Sequence, residues 1–161
     1  MPHWAHTIGL RREIFLMSSR TAIAAILSAM LAGMLKLPEF YWAPISTIVI
    51  LLSATDQQAL AWQRFAGTAM GAALGALIAT FLHPNLAIYG LGLFVCGFLC
   101  TILRIGTAYR FAAITLTIIL LIAHTRPPWV VGLHRFVEVS LGIAVALAVA
   151  RVWPLPQISA S

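Results

Sequence analysis

Charge is what this sequence has least of. Of 161 residues only 4 are acidic, and 9% carry a charge of either sign, whereas a soluble domain carries about 25%. So few ionic groups cannot solvate a globular surface, which excludes a freely soluble protein. Cysteine is scarce too. Cys96 and Cys100 stand one helical turn apart inside an apolar run, giving neither a disulfide framework nor a thiolate metal site. They read as small buried hydrophobes. His3 and His6 are spaced i, i+3 but have no further ligands near them, so no metal is expected. Paired carboxylates and an activated nucleophile are missing as well. With them goes the basis for an enzyme, and no cofactor is expected.

A cleavable leader is not expected either. The first apolar block starts only after Arg20, follows Arg11 and Arg12, and lacks a small-residue cleavage site. Residues 1–20 are therefore expected to form a short cytoplasmic lead-in, amphipathic or irregular.

What the chain has in excess is apolar sequence. Hydrophobic residues make up 61%, against about 45–50% in a soluble domain, and they are gathered in long blocks. The net charge of +6 comes from ten Lys and Arg scattered between those blocks. That is the pattern of topology signals and not the basic stripe of a nucleic-acid binder. The partner is a lipid bilayer, with no nucleic acid.

Six blocks follow, at about 21–37, 40–54, 57–82, 86–103, 111–123 and 128–152. Four are near or below the ~20 residues that a crossing helix needs, and the third and the last are longer. In the first, Ala25, Ala29 and Gly33 lie at packing spacing, and Leu37-Pro38-Glu39 ends it. Residues 53–56 offer capping groups for the third, and the prolines before Trp129 suit the first turn of the last. The expected fold is all-α and polytopic. It has six transmembrane helices in a module spanning 21–154 and a short tail at 155–161. Placing the N-terminus inside puts Arg11, Arg12, Arg20, Arg64, Arg104, Arg110 and Arg151 on the cytoplasmic side. Lys36, Arg126 and Arg135 are left outside, so both termini are expected in the cytoplasm.

The chain also resembles itself. Lys36-x-x-x-x-Tyr41 recurs 68 residues later as Arg104-x-x-x-x-Tyr109, and Arg64 and Gly71 recur 71 residues later as Arg135 and Gly142. The two short blocks share hydroxyls, Ser46 and Thr47 against Thr115 and Thr117. Repeats of about 21–82 and 86–153 would each hold three helices, an odd number, so the halves should be inverted in the membrane. Inverted repeats with short segments at matching positions are a transporter signature, with the site near the midplane.

Two arginine-headed helices organise this scheme. Arg64 lies between Trp62 and Phe65, with Thr68 one turn on, and Gly67, Gly71 and Gly75 mark a face that a second helix can approach closely. The second device is His134-Arg135, then Glu138, then a stripe of Ser140, Ala144 and Ala148. Arginine in hydrocarbon is costly and is retained for a partner or a cavity. Its flat charged fork suits a carboxylate, and snorkelling to headgroups is the plainer alternative. Glu138, where the first half has Gly67, reads either as an i, i+3 partner of Arg135 or as a proton-coupling carboxylate. Asp56 reads as a helix cap or a gate partner. His124 and His134 read as interfacial groups or proton relays. Ser46, Thr47, Thr115 and Thr117 either bond back to their own helices or become ligand contacts. Tyr41, Trp42 and Tyr109 are interfacial belts or aromatic stackers.

Tyr41-Trp42-Ala-Pro44, the run Arg64-x-x-Gly-Thr68-x-x-Gly71 and the closing Trp153-Pro154 resemble the fusaric acid resistance and aromatic acid exporter superfamily. That group includes, more distantly, the plant aluminium-activated malate transporters. The resemblance covers about residues 21–154. It implies six-helix modules in the bacterial inner membrane that export aromatic or other organic carboxylates, often coupled to protons, and in the plant relatives an anion-conducting dimer. Many relatives carry two six-helix halves, so a single module implies a homodimer. The expected function is export of a small organic anion held by Arg64 and Arg135, with Glu138 coupling protons. A passive anion channel and a non-transporting membrane scaffold are the rivals.

Overall fold

The computed structural model describes residues 3–53, 56–122 and 126–154. Six α-helices occur in it: α1 (His3–Met34), α2 (Trp42–Leu51), α3 (Gln57–Phe81), α4 (Leu86–Ile102), α5 (Tyr109–Thr117) and α6 (Pro128–Val152). A short 3₁₀ turn at Gly106–Ala108 leads into α5, whose last turn widens into a π-helix over Ile118–Ile122. No strand occurs among the described residues.

Local chemistry sets most of the boundaries. Asp56 starts α3 by accepting the Gln58 N–H at 2.9 Å, and Asn85 starts α4 by accepting that of Ile88 at 2.9 Å. Pro128 opens α6 where no N–H is needed. The ends of α1 and α4 are built alike. Lys36 (φ 52°) and Arg104 (φ 56°) both adopt the left-handed conformation. The residue after each donates back five positions, Leu37 N–H to Ala32 O at 3.1 Å and Ile105 N–H to Cys100 O at 2.9 Å. This six-residue closure satisfies carbonyls that a helix end would leave open. A residue with a Cβ accepts that conformation at a cost of roughly 1–2 kcal/mol. A cation beside the negative end of the helix offsets part of it.

The helices expected at 57–82, 86–103 and 128–152 are found within a residue of those limits. The beginning of the chain differs. Of the two forms expected for the lead-in, the irregular one is not found over residues 3–20, because α1 runs unbroken from His3 through position 20. No proline interrupts that stretch to stop it.

Among the described residues, three stretches are long and apolar enough to cross a membrane: Arg12–Met34, Gln57–Phe81 and Pro128–Val152. At 1.5 Å per residue a 25-residue helix covers about 37 Å, more than the ~30 Å of hydrocarbon. The other apolar helices are shorter, and α2, with 10 residues, reaches only about 15 Å. Large apolar side chains crowd the outside, among them Phe81, Leu86 and Phe94. Arg20, Ser28, Ser46, Thr47, Arg64, Arg135 and Glu138 are buried. Polar inside and apolar outside is the arrangement that lipid selects. The protein is a multi-pass membrane protein.

The packing interlocks the two halves of the chain. Helices α3 and α6 run antiparallel at the centre, α5 lies parallel against α3, and α2 lies parallel against α6. Helix α1 covers α2 and α6, and α4 covers α5 and α3. Glycines make the parallel contacts possible, Gly67 and Gly71 against α5 and Gly142 against α2. A Cβ at Gly71 would collide with the carbonyl oxygen of Ala112 and stand 2.9 Å from the Thr115 Cβ. One at Gly142 would collide with the carbonyl oxygen of Ala43 and stand 2.6 Å from the Ser46 Cβ.

Two expected packing faces are displaced. On α1 the buried line is Arg20, Ala24, Ser28 and Ala32. Ala25 and Ala29 are only partly covered and Gly33 is exposed. On α6 the buried line is Arg135, Glu138, Gly142 and Ala146. Ser140 is only partly covered, and Ala144 and Ala148 are exposed. A stripe of small residues can be drawn on several faces of an alanine-rich helix, and the buried charges decide which one turns inward. The Gly67, Gly71 and Gly75 line is buried as expected.

Candidate functional site

One turn of α2 joins the two arginines. Arg64 projects from α3, two turns past its cap, and is 6% exposed. Its guanidinium carbon lies 5.0 Å from the centre of the Phe111 ring at the start of α5, and its Nε donates to the Ser46 hydroxyl at 3.1 Å. Ser46 in turn donates to the Trp42 carbonyl at 2.8 Å. Over the ring of that tryptophan, at 3.5 Å, lies the guanidinium of Arg135 from α6. Each central helix thus sets its arginine on an aromatic ring that opens a short helix of the other half. A cation on a ring face is worth about 0.5–2 kcal/mol.

The two cradles differ in their carboxylates. Arg135 has Glu39, with Nε and Oε2 3.4 Å apart, and this is the ion pair found among the described residues. Glu138 is wholly buried and does not pair with Arg135 within salt-bridge distance. Its Oε1 accepts the backbone N–H of Glu39 at 3.0 Å, and its Oε2 has no hydrogen-bond partner. The i, i+3 bridge expected between Arg135 and Glu138 is therefore replaced by a tie to the turn before α2, because a nearer carboxylate occupies the guanidinium. At Arg64 the corresponding positions, in the packing register that sets Ala112 on Gly71 and Ala43 on Gly142, are Gly67 and Ala108, which pack together. Arg64 has no ion-pair partner among the described residues.

The other expected site residues divide into two groups. Ser46, Trp42 and Thr68 gather around the arginines, Thr68 buried one turn beyond Arg64. Thr47 is buried beside them but donates to Ala43 O at 3.1 Å and Gly142 O at 3.0 Å, which ties α2 to α6. Thr115 bonds back to Phe111 O at 3.0 Å. Thr117 and Tyr109 are drawn to α4, through Tyr89 at 3.1 Å and the Leu93 carbonyl at 3.4 Å. Tyr41 is exposed between Phe40 and Trp42. Asp56 is a cap, His134 is partly covered on α6, and His124 lies outside the described residues. Cys96 and Cys100 are free and buried. No cluster of metal-ligating groups occurs among the described residues.

Three residues that matter here do not stand out in the sequence. Glu39 sits in a helix-ending Leu-Pro-Glu and reads as a terminator. Arg20 reads as a topology signal, yet it is 4% exposed. It donates to Trp153 O at 3.0 Å and Leu51 O at 3.4 Å, clamping the ends of α6 and α2. Its i+4 spacing to Ala24 and Ser28 was the available signal. The Arg110 guanidinium carbon lies 4.7 Å from the centre of the Phe111 ring and the side chain donates to Gln63 at 3.3 Å, so a second, exposed guanidinium adjoins the ring that Arg64 uses.

Two open grooves flank the α3–α6 crossing. One of about 750 Å³ lies between Trp62 and Phe65 of α3 and Leu147 and Arg151 of α6. The other, about 350 Å³, lies between Ala72 and Ala76 of α3 and Trp129 and Phe136 of α6. The Phe65 and Phe136 rings, 4.9 Å apart, meet between them. Neither groove is lined by Arg64 or Arg135.

No curated protein and no solved structure matches the chain significantly. A family model described as fusaric acid resistance protein-like matches residues 23–149, a stretch that holds both arginines, both aromatic rings and Glu138. The chain belongs to the fusaric acid resistance protein-like family.

Proposed function

We propose that this protein exports small organic carboxylate anions, aromatic acids foremost, across the bacterial inner membrane. Family membership supports a membrane transport or resistance role. The observation that carries the finer reading is Arg64, a permanent cation 6% exposed and without an ion-pair partner among the described residues. Such a group costs at least ~2.5–3.5 kcal/mol in hydrocarbon. One hydroxyl and one ring face offset that cost without supplying a counter-charge, and an arriving carboxylate supplies it. Arg110 draws the anion to the mouth, Arg64 receives it, and Arg135 passes it on, with the Phe111 and Trp42 rings offering apolar faces to an aromatic cargo.

The architecture proposed for this path is an inverted repeat of three helices, 21–82 and 86–153, crossing six times with both termini cytoplasmic. Its support is the matched design of the halves. The central helices are both 25 residues long and antiparallel, the ends of α1 and α4 share one closure, and each arginine meets the ring of the other half. The short α2 and α5 then border the path as segments that do not reach across alone. A homodimer would cover the grooved α3–α6 face. Glu138, buried with a free Oε2, is the proton-coupling group of this scheme.

Uptake of radiolabelled benzoate into proteoliposomes tests the reading. Wild type should carry it, and Arg64→Ala and Arg135→Ala should each lose most of the flux. Equal flux in all three would defeat the assignment. One observation favours a passive channel instead: a backbone N–H already holds Glu138, so its charge need not change during transport. A channel gives bilayer currents that require no proton gradient and survive Glu138→Gln.

A further inference from the structure

We infer that Glu39 is a tethered competitor for Arg135: an internal carboxylate that occupies this guanidinium until the transported anion displaces it, and that returns to release the anion. The inference rests on the anion-transport reading above and adds a regulator to the same site.

Three features of the contact fit a removable occupant. First, it is a single-point contact. Glu39 Oε2 lies 3.4 Å from Arg135 Nε, and neither atom makes a hydrogen bond. A two-pronged carboxylate–guanidinium pair would hold far more firmly. Second, the partners differ in freedom. The Arg135 side chain is 5% exposed and that of Glu39 34%, so the carboxylate can swing into solvent while the guanidinium stays. Third, the backbone of Glu39 is fixed. Its N–H donates to Glu138 Oε1 at 3.0 Å and its carbonyl accepts from the Trp42 N–H at 3.0 Å. Only the side chain is left to move.

The comparison with Arg64 gives the contact its meaning. The two arginines sit alike on aromatic rings, yet in the packing register that sets Ala112 on Gly71 and Ala43 on Gly142 the position matching Glu39 is Ala108. One guanidinium is therefore uncovered and the other is covered by a group of the cargo's own chemistry. Donors wait beside the covered one: the Trp42 indole N–H is buried without a partner, as is Arg135 Nε. Glu138 cannot take this part, since it is 0% exposed and held by the backbone. An anion moving from Arg64 to Arg135 must evict Glu39, and the return of Glu39 shortens the anion's stay.

The test measures the concentration dependence of radiolabelled benzoate flux in proteoliposomes for wild type, Glu39→Gln, Arg135→Gln and the double variant. Glutamine keeps both backbone contacts of Glu39. Glu39→Gln should lower the half-saturating benzoate concentration roughly threefold to tenfold, the effect of releasing a partly exposed ion pair, and should slow maximal flux. The shift should vanish in the Arg135→Gln background, which a merely structural role would not produce. Glu39→Asp, whose shorter carboxylate reaches Arg135 less well, should shift the same way by less and serves if the glutamine variant does not fold. Unchanged or raised half-saturation in Glu39→Gln, with flux that still needs Arg64, would overturn the competitor and leave the transport reading standing. Wild type that carries no benzoate, or carries it equally well as Arg64→Ala, would remove both.

Discussion

The two arginines occupy matching cradles but should respond oppositely to removal. Arg64→Ala deletes a hydrogen bond from a charged donor, worth about 1.5–3 kcal/mol, and a ring contact worth about 0.5–2 kcal/mol. It also deletes an unpaired cation that costs at least ~2.5–3.5 kcal/mol in hydrocarbon. These nearly cancel, and Ser46 still donates to Trp42, so no orphaned donor remains. The expected change in stability is within about 1 kcal/mol. Arg135→Ala instead strips the counter-charge from Glu39 and from the fully buried Glu138. Removing one partner of a buried pair costs about 3–5 kcal/mol, which the partial exposure of Glu39 reduces to about 2–3 kcal/mol. For binding, losing the cation that meets the cargo's carboxylate costs about 2–5 kcal/mol, at least a ~30-fold rise in half-saturating benzoate. Thermal denaturation in detergent, run beside proteoliposome flux, separates the two effects. Arg64→Ala should melt near wild type and transport poorly, and Arg135→Ala should melt clearly lower. An Arg64→Ala protein that is the less stable of the two would refute the claim that its charge is unpaired.

Other substitutions probe the scaffold. Gly71→Ala and Gly142→Ala should each destabilise by about 1–3 kcal/mol or more, since each new methyl meets a backbone carbonyl. Gly33→Ala, with nothing within 4 Å, should gain up to about 1 kcal/mol, all three read by thermal melts. Arg20→Ala should cost about 1–3 kcal/mol by freeing the carbonyls of Leu51 and Trp153, and hydrogen exchange should rise at the ends of α2 and α6 before other sites respond. Asp56→Ala should lose about 1 kcal/mol, the value of an N-cap, with Asp56→Asn restoring most of it.

How far the sequence could be read depends on the range of each interaction. Asp56, Asn85 and the paired prolines act within a few residues, and the helices they bound lie where the sequence places them. The correspondence of Lys36 with Arg104 was legible from charge and spacing alone. Their shared left-handed backbone gives the match a physical cause, since both close a helix in the same way. What was not legible depends on the distant partner. Glu39 and Glu138 are 99 positions apart, and nothing near either one announces the other. Thr117 and Tyr109 are chemically suited to a ligand but lie on the side of α5 that faces α4. The small-residue stripes of α1 and α6 failed for another reason. Alanine, glycine and serine fit any face, so only the buried arginines fix the register.

The departure from likeness between the halves bears most directly on function. Matched helices supply two guanidinium groups on two rings, a device that would by itself treat both directions of passage alike. Two acidic residues break that equivalence, and both lie beside Arg135, one in the turn before α2 and one on α6. The charge around Arg64 is left net positive, and the charge around Arg135 is balanced or reversed. On the transport reading proposed above, an anion would be held more firmly at the Arg64 end than at the Arg135 end, whichever way the protein sits in the bilayer. Affinity alone cannot drive net movement, but it decides where the cargo is captured and where it is let go. In the orientation proposed above, with Arg64, Arg104, Arg110 and Arg151 on the cytoplasmic side, the firm end would face the cell interior. Capture inside and release outside is the order that an exporter needs. Placing a glutamate at Ala108 and removing Glu39 would leave one carboxylate beside each arginine without touching either guanidinium, and the reasoning then requires the difference in benzoate affinity between the two faces to shrink.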